Sequence, residues 1–160
     1  MGVREVRPDE YVALARLTVD PYRPHGAVSD DDGAELAGVA GRAAAATVLV
    51  AVDADDEVLG GITYVPPGQN PLAEHDEDEV ASIRMLAVAD GARRRGVGMA
   101  LTEATLARAR AGGASGVVLH SVPTMTGAHR LYEGVGFVRE PALDWCPEPD
   151  VECLGFRLRF

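Results

Sequence analysis

Residues 85–110, MLAVADGARRRGVGMALTEATLARAR, read as a strand, a basic turn and a helix. Met85-Leu86-Ala87-Val88 is apolar without interruption, the pattern of a strand covered on both faces. From Met99 to Arg110 nearly every residue is a strong helix former. Between the two lie Arg93, Arg94 and Arg95, then Gly96-Val97-Gly98. Glycines at such a turn let backbone N–H groups approach a ligand with no Cβ in the way. A helix start also leaves its first N–H groups without intrahelical acceptors and carries partial positive charge. Arginine forks beside these donors suit phosphate oxygens, so the stretch predicts a pyrophosphate cradle over Arg93–Met99.

Two other phosphate loops do not fit. The P-loop ends in Gly-Lys-Ser/Thr, and no such ending is present. The dinucleotide fingerprint needs a third Gly or Ala after Gly96 and Gly98, where Leu101 stands. It also needs an acid at the end of the next strand, where His120 and Ser121 stand. As a merely solvated loop or a nucleic-acid patch, the arginine run would not need glycines and a helix start beside it. A net charge of −10, from 15 Lys+Arg against 25 Asp+Glu, also argues against nucleic acid as a partner.

The 160 residues suffice for one domain spanning 1–160, with 47% hydrophobic and 25% charged residues as in ordinary globular proteins. No run is long enough to cross a membrane and none reads as a leader, so no membrane partner and a cytoplasmic location are expected. Cys146 and Cys153 form neither a disulfide framework nor, without CxxC or paired histidines, a metal set. No metal is expected.

Working outward, residues 3–6 predict a first strand, and Asp9 is placed to cap a helix to about Val19. Residues 20–26 break regularity, and Ser29 to Asp32 read as the start of a second helix ending near Ala45. Strands at 47–53 and 58–65 form a hairpin about residues 54–57. Pro66 to Pro71 must be loop, and Glu74-His75-Asp76-Glu77-Asp78-Glu79 leads into a central strand at 80–88. That acidic run is either a solvated face or an attractor for a cationic acceptor. Gly112-Gly113 ends the cradle helix, residues 117–120 form the next strand, and Thr124 or Thr126 caps a short helix. Phe137-Val138 begins another strand, residues 141–149 with three prolines predict an ordered loop, and residues 154–160 alternate as a half-buried strand.

Arg93-x-x-Gly96-x-Gly98, with a strand before it and a helix after, resembles the phosphate loop of the GNAT superfamily of N-acetyltransferases. Ala128-His129-Arg130-Leu131-Tyr132-Glu133-Gly134-Val135-Gly136-Phe137 is similar to that family's second signature, Ala-x-x-Leu-Tyr-x-x-x-Gly-Phe. The resemblance implies an α/β (α+β) fold: a mixed, mostly antiparallel central sheet flanked by helices, with splayed fourth and fifth strands. It implies transfer of an acetyl group from acetyl-CoA to a primary amine of a small molecule or peptide, with both substrates held together. A catalytically silent acyl-CoA-binding module is the alternative.

The same resemblance supplies roles. Backbone groups of Leu86, Ala87 and Val88 would pair with the pantetheine arm like an added strand, and an N–H near Leu86 would hold the thioester oxygen. Arg93, Arg94, Arg95, Gly96, Val97, Gly98 and Met99 would hold the pyrophosphate. Tyr132 would protonate the departing thiolate, the bland reading being a tyrosine packed on the cradle helix. Tyr22 and His25 fall where the acceptor pocket forms, or are simply a loop tyrosine and a solvated histidine. Two positions depart from the family pattern: Met125 stands where Asn is frequent, and Ser82 where a basic Glu is frequent. The base then falls to Glu79 through a water, or to no protein group. A homodimer is left open.

Overall fold

The structure is a computed structural model that describes residues 1–22 and 38–160. The strands are β1 (Gly2–Glu5), β2 (Thr47–Val52), β3 (Val58–Val65), β4 (Val80–Val88), β5 (Gly116–Ser121), β6 (Val138–Arg139), β7 (Trp145–Glu148) and β8 (Val151–Arg159). The helices are α1 (Tyr11–Tyr22), α2 (Val39–Ala45), α3 (Val97–Ala111) and α4 (Thr126–Gly134). The sheet runs β1-β2-β3-β4-β5-β8-β6, with β7 on β8. Every pairing is antiparallel except β4 with β5. The expected mixed, mostly antiparallel sheet is therefore present. His25 and the expected start of the second helix at Ser29 lie outside the described residues, and Tyr22 is described only as the last residue of α1.

Helices cover both faces, which explains why β2 and β3 read as continuous apolar runs. Alternate residues of β2 go to opposite sides: Val48, Val50 and Val52 pack with Leu14 and Val39, while Leu49 and Ala51 join Val97 and Leu101. At Gly60-Gly61 of β3, helices approach closely from both faces. A Cβ on Gly61 would lie 2.5 Å from Leu14 Cδ1 of α1, and one on Gly60 would lie 3.1 Å from Val97 Cγ1 of α3.

Three local expectations change. Asp9 is not a cap: a 3-10 turn at Pro8–Glu10 precedes α1, and the Glu10 carboxylate takes the Arg7 N–H at 2.7 Å. Proline's fixed φ suits that first turn. Neither Thr124 nor Thr126 caps α4, which starts from backbone turns with Met125 at the cap position. Residues 145–148, expected in a loop, form β7, pairing Trp145 with Cys153 and Glu148 with Val151. An edge strand with an irregular ladder tolerates Pro147, because its missing N–H is not required there.

Carboxylates tie the outer elements together. Arg4 bridges Glu10 and Asp56, Arg157 bridges Glu77 and Glu140, and Arg139 holds Asp144. Hydrogen bonds from Arg4 hold Glu10 and Asp56 below the ordinary carboxylate range, as Arg157 does Glu140 and Arg139 does Asp144. Depressed carboxylates stabilise the fold above their unfolded pKa of about 4, and that support goes as pH falls through their lower folded values. Burial depresses His75 and His129 as well, so the unfolded chain takes up their protons first, from about pH 6.5 downward. Urea midpoints should thus be flat above neutrality, decline gently below it, and fall steeply under about pH 4. A midpoint that rose on acidification would refute these assignments.

Candidate functional site

β4 leaves the sheet at Val88 and passes through a 3-10 turn at Asp90–Ala92 into the arginines. Arg94 has φ +58° and Gly96 φ +79°, two left-handed steps that turn the chain sharply into α3. Gly96 caps α3 without a side chain, and its carbonyl takes the Ala100 N–H at 2.9 Å. The N–H groups of Val97, Gly98 and Met99 thus belong to the open first turn. They border a cleft of about 570 Å³ whose lining includes Leu86, Ala87 and Val88 on the strand side. Arg93 and Arg94 line it too, and Thr124 to Ala128 with Leu131 form the opposite wall. Arg93 is paired with Asp90 at 2.9 Å, and Arg95 is exposed outside the lining.

The cleft exists because the sheet forks. β4 and β5 pair in parallel only from Val80↔Gly116 to Ile83↔Leu119, while on its other edge β4 continues to Gly60↔Val88. Met85, at φ +55°, lies where the β3–β4 register shifts, so β4 carries a bulge just beyond the fork. Bulges re-aim the residues that follow them, and here those are Leu86 to Val88.

A second cleft, about 560 Å³, opens below the fork. Its walls come from Pro71 to Asp76, the bulged part of β4, the end of β5, and Trp145, Pro147, Val151 and Cys153. Tyr132 lines it and is 6% exposed, its ring edge-on to Phe137. Leu86 and Met125 line both clefts, so the two meet there.

Glu74 crosses the second cleft. One carboxylate oxygen lies 2.8 Å from Arg84 Nε, and the other 2.9 Å from His120 Nδ1. The opposite His120 nitrogen, Nε2, donates to the Leu143 carbonyl at 2.8 Å. Burial pushes the Glu74 carboxyl upward, but His120, Arg84 and the Trp145 indole outweigh it and hold the group below its ordinary value. Glu79 is exposed at the opposite end of β4 from Leu86 and lines neither cleft. Ser82 is buried and also outside both linings.

Sequence reasoning missed Glu74, Arg84, His120 and Trp145. The available signals were a polar His120 and a charged Arg84 inside otherwise apolar strands, which burial makes costly unless paired. Their common partner Glu74 looked like one acid among several.

The acetyltransferase (GNAT) family model matches residues 11–137. A comparison with curated proteins finds no match. Among solved structures, a GNAT-family acetyltransferase from Brucella melitensis in complex with acetyl-CoA is 26% identical, with a TM-score of 0.63 over 99% of this chain and 87% of that one. A GCN5-related N-acetyltransferase from Kribbella flavida is 24% identical, with a TM-score of 0.73 over 99% and 97%. An acetyltransferase of the GNAT family from Staphylococcus aureus reaches a TM-score of 0.76 at 14% identity over 99% and 98%. The last two show likeness of fold alone.

Proposed function

Because the chain belongs to the acetyltransferase (GNAT) family, we propose that it moves an acetyl group from acetyl-CoA to a primary amine of a small molecule or peptide, with both substrates bound together. The observation that carries this reading is the meeting of two clefts at Leu86 and Met125, one on each side of the fork. The cradle fits the cofactor: its left-handed turn at Gly96 presents the first turn of α3, and Arg93 and Arg94 stand on the same wall. Bound acetyl-CoA would supply an activated acetyl group and a thiolate leaving group.

The protein's own groups would do the rest. Arg94 and the backbone of Val97 to Met99 hold the pyrophosphate, with Arg93 also facing it and Arg95 adding field from outside the lining. Backbone groups of Leu86, Ala87 and Val88 align the pantetheine amides, and an N–H at the bulge beside Leu86 holds the thioester oxygen as charge grows. Tyr132, which lines the second cleft, donates its hydroxyl proton to the departing sulfur. Tyr22 and His25 remain assigned to the acceptor side. The acceptor cleft mixes apolar walls with the exposed Asp76 carboxylate at its lining, which suits attraction of a cationic acceptor. The protein functions in the cytoplasm, without nucleic acid or membrane.

In this reading the acceptor nitrogen loses its proton to water rather than to Glu74 or Glu79, and water returns a proton to the Tyr132 phenolate. Glu74 has both oxygens committed to Arg84 and His120, and Glu79 is at the wrong end of β4. The acidic limb of kcat/KM should therefore follow the acceptor amine's own pKa, and Glu79→Gln should leave that limb where it is. A limb displaced in Glu79→Gln would restore Glu79 to the mechanism. The reading as a whole is tested by thiol release from acetyl-CoA across a panel of amines. Release with at least one amine supports it, whereas tight acetyl-CoA binding with no release from any amine supports the silent sensing module.

A further inference from the structure

We propose that Glu74 is a positioning residue that sets the opening between β4 and β5 and so governs how well acetyl-CoA seats. The inference rests on the reading of the cradle as an acetyl-CoA site. The last parallel rung of β4 and β5 is Ile83↔Leu119, and the next residues on the two strands are Arg84 and His120. Both reach the same carboxylate, one oxygen apiece, at 2.8 and 2.9 Å. Where backbone pairing stops, side-chain pairing through Glu74 replaces it.

The replacement is rigid because each partner is anchored elsewhere. His120 Nε2 is held by the Leu143 carbonyl at 2.8 Å, just ahead of β7. Trp145 sets its ring edge-on to His120, with centroids 6.2 Å apart. Side-chain exposures of 17% for Glu74, 14% for Arg84 and 4% for His120 keep water from screening the bridge. Removing one member leaves buried charge uncompensated, which is far costlier than losing a surface pair. Arg84 directly precedes the bulge residue Met85, and Leu86 follows it at the junction of the clefts. Shifting Arg84 therefore rotates the strand edge that the pantetheine arm would pair with. Small misplacements of such a binding edge have large consequences.

The sole tryptophan makes the network observable without knowing the acceptor. Acetyl-CoA titrations by calorimetry and by Trp145 emission would compare wild type with Glu74→Ala and the near-isosteric Glu74→Gln. Glu10→Ala, which breaks the remote pair with Arg4, controls for lost stability alone. Glu74→Ala should bind acetyl-CoA at least roughly tenfold more weakly, and the emission change seen in wild type should vanish. Glu74→Gln, which keeps one accepting oxygen, should fall between and decides the matter if the alanine variant does not fold. Glu10→Ala should melt earlier yet bind as wild type does. Glu74 variants that bind acetyl-CoA with wild-type affinity and emission change overturn the positioning role and leave the proposed function standing. A wild-type protein that fails to bind acetyl-CoA overturns both.

Discussion

Tyr132→Phe should lower kcat by roughly 10²–10⁴-fold while acetyl-CoA affinity stays nearly unchanged. The substitution keeps the ring, which packs against Phe137 and Phe156 in the core, and removes only the hydroxyl. Stability should therefore change little beyond the loss of one hydrogen-bonding group. The position suits the proposed role, because Tyr132 lines the second cleft, to which Leu86 and Met125, shared with the cradle, also belong. A loss confined to kcat would mark an interaction formed as charge develops on sulfur. Single-turnover chemistry at the wild-type rate in Tyr132→Phe would reduce the residue to packing.

Gly98→Val should abolish acetyl-CoA binding in a protein that still folds. A Cβ there would stand 2.9 Å from Leu131 Cδ1 and 3.7 Å from Val88 Cγ2, between the two walls of the cleft. Only the end of the Leu131 side chain must yield, so the fold is spared, whereas the space for the cofactor is not. Gly96 is the poorer probe, since its φ of +79° would add backbone strain to any lost binding. For wild type, acetyl-CoA at 100 times its Kd should add about 2.7 kcal/mol of stability, visible as a raised Tm. Gly98→Val should lose that increment, and Gly91→Ala, outside the cleft with open space around its Cβ, should keep it. Retention of the full increment in Gly98→Val would move the cofactor site elsewhere.

Local patterns carried much of the architecture. The strand, turn and helix of residues 85–110 were legible because apolar continuity, glycines and helix formers follow one another directly. The β2–β3 hairpin and the end of α3 at Gly112 announced themselves by short-range turn chemistry in the same way. What escaped was decided at long range. Glu74 looks like solvated acid until Arg84 and His120 are brought to it, and Glu77 until Arg157, eighty positions away in sequence, reaches it. β7 was hidden because Pro147 within it and Pro141 and Pro149 around it signal loop, and only its place on β8 makes a strand there acceptable. Asp9, Thr124 and Thr126 had the right chemistry for caps, but neighbouring backbone turns met that need first.

Among the described residues the two clefts share only Leu86 and Met125, and this division has a bearing on how the protein could change. Away from Glu74 and Trp145, the second cleft is walled by Pro71, Pro147 and Val151, on a loop and an edge hairpin, while the cradle is built from the turn into α3. Distant substitutions combine nearly independently. Diversifying those three wall positions, with Leu86, Met125 and Trp145 held constant, is expected to redirect the proposed transfer to new acceptors without forfeiting its donor.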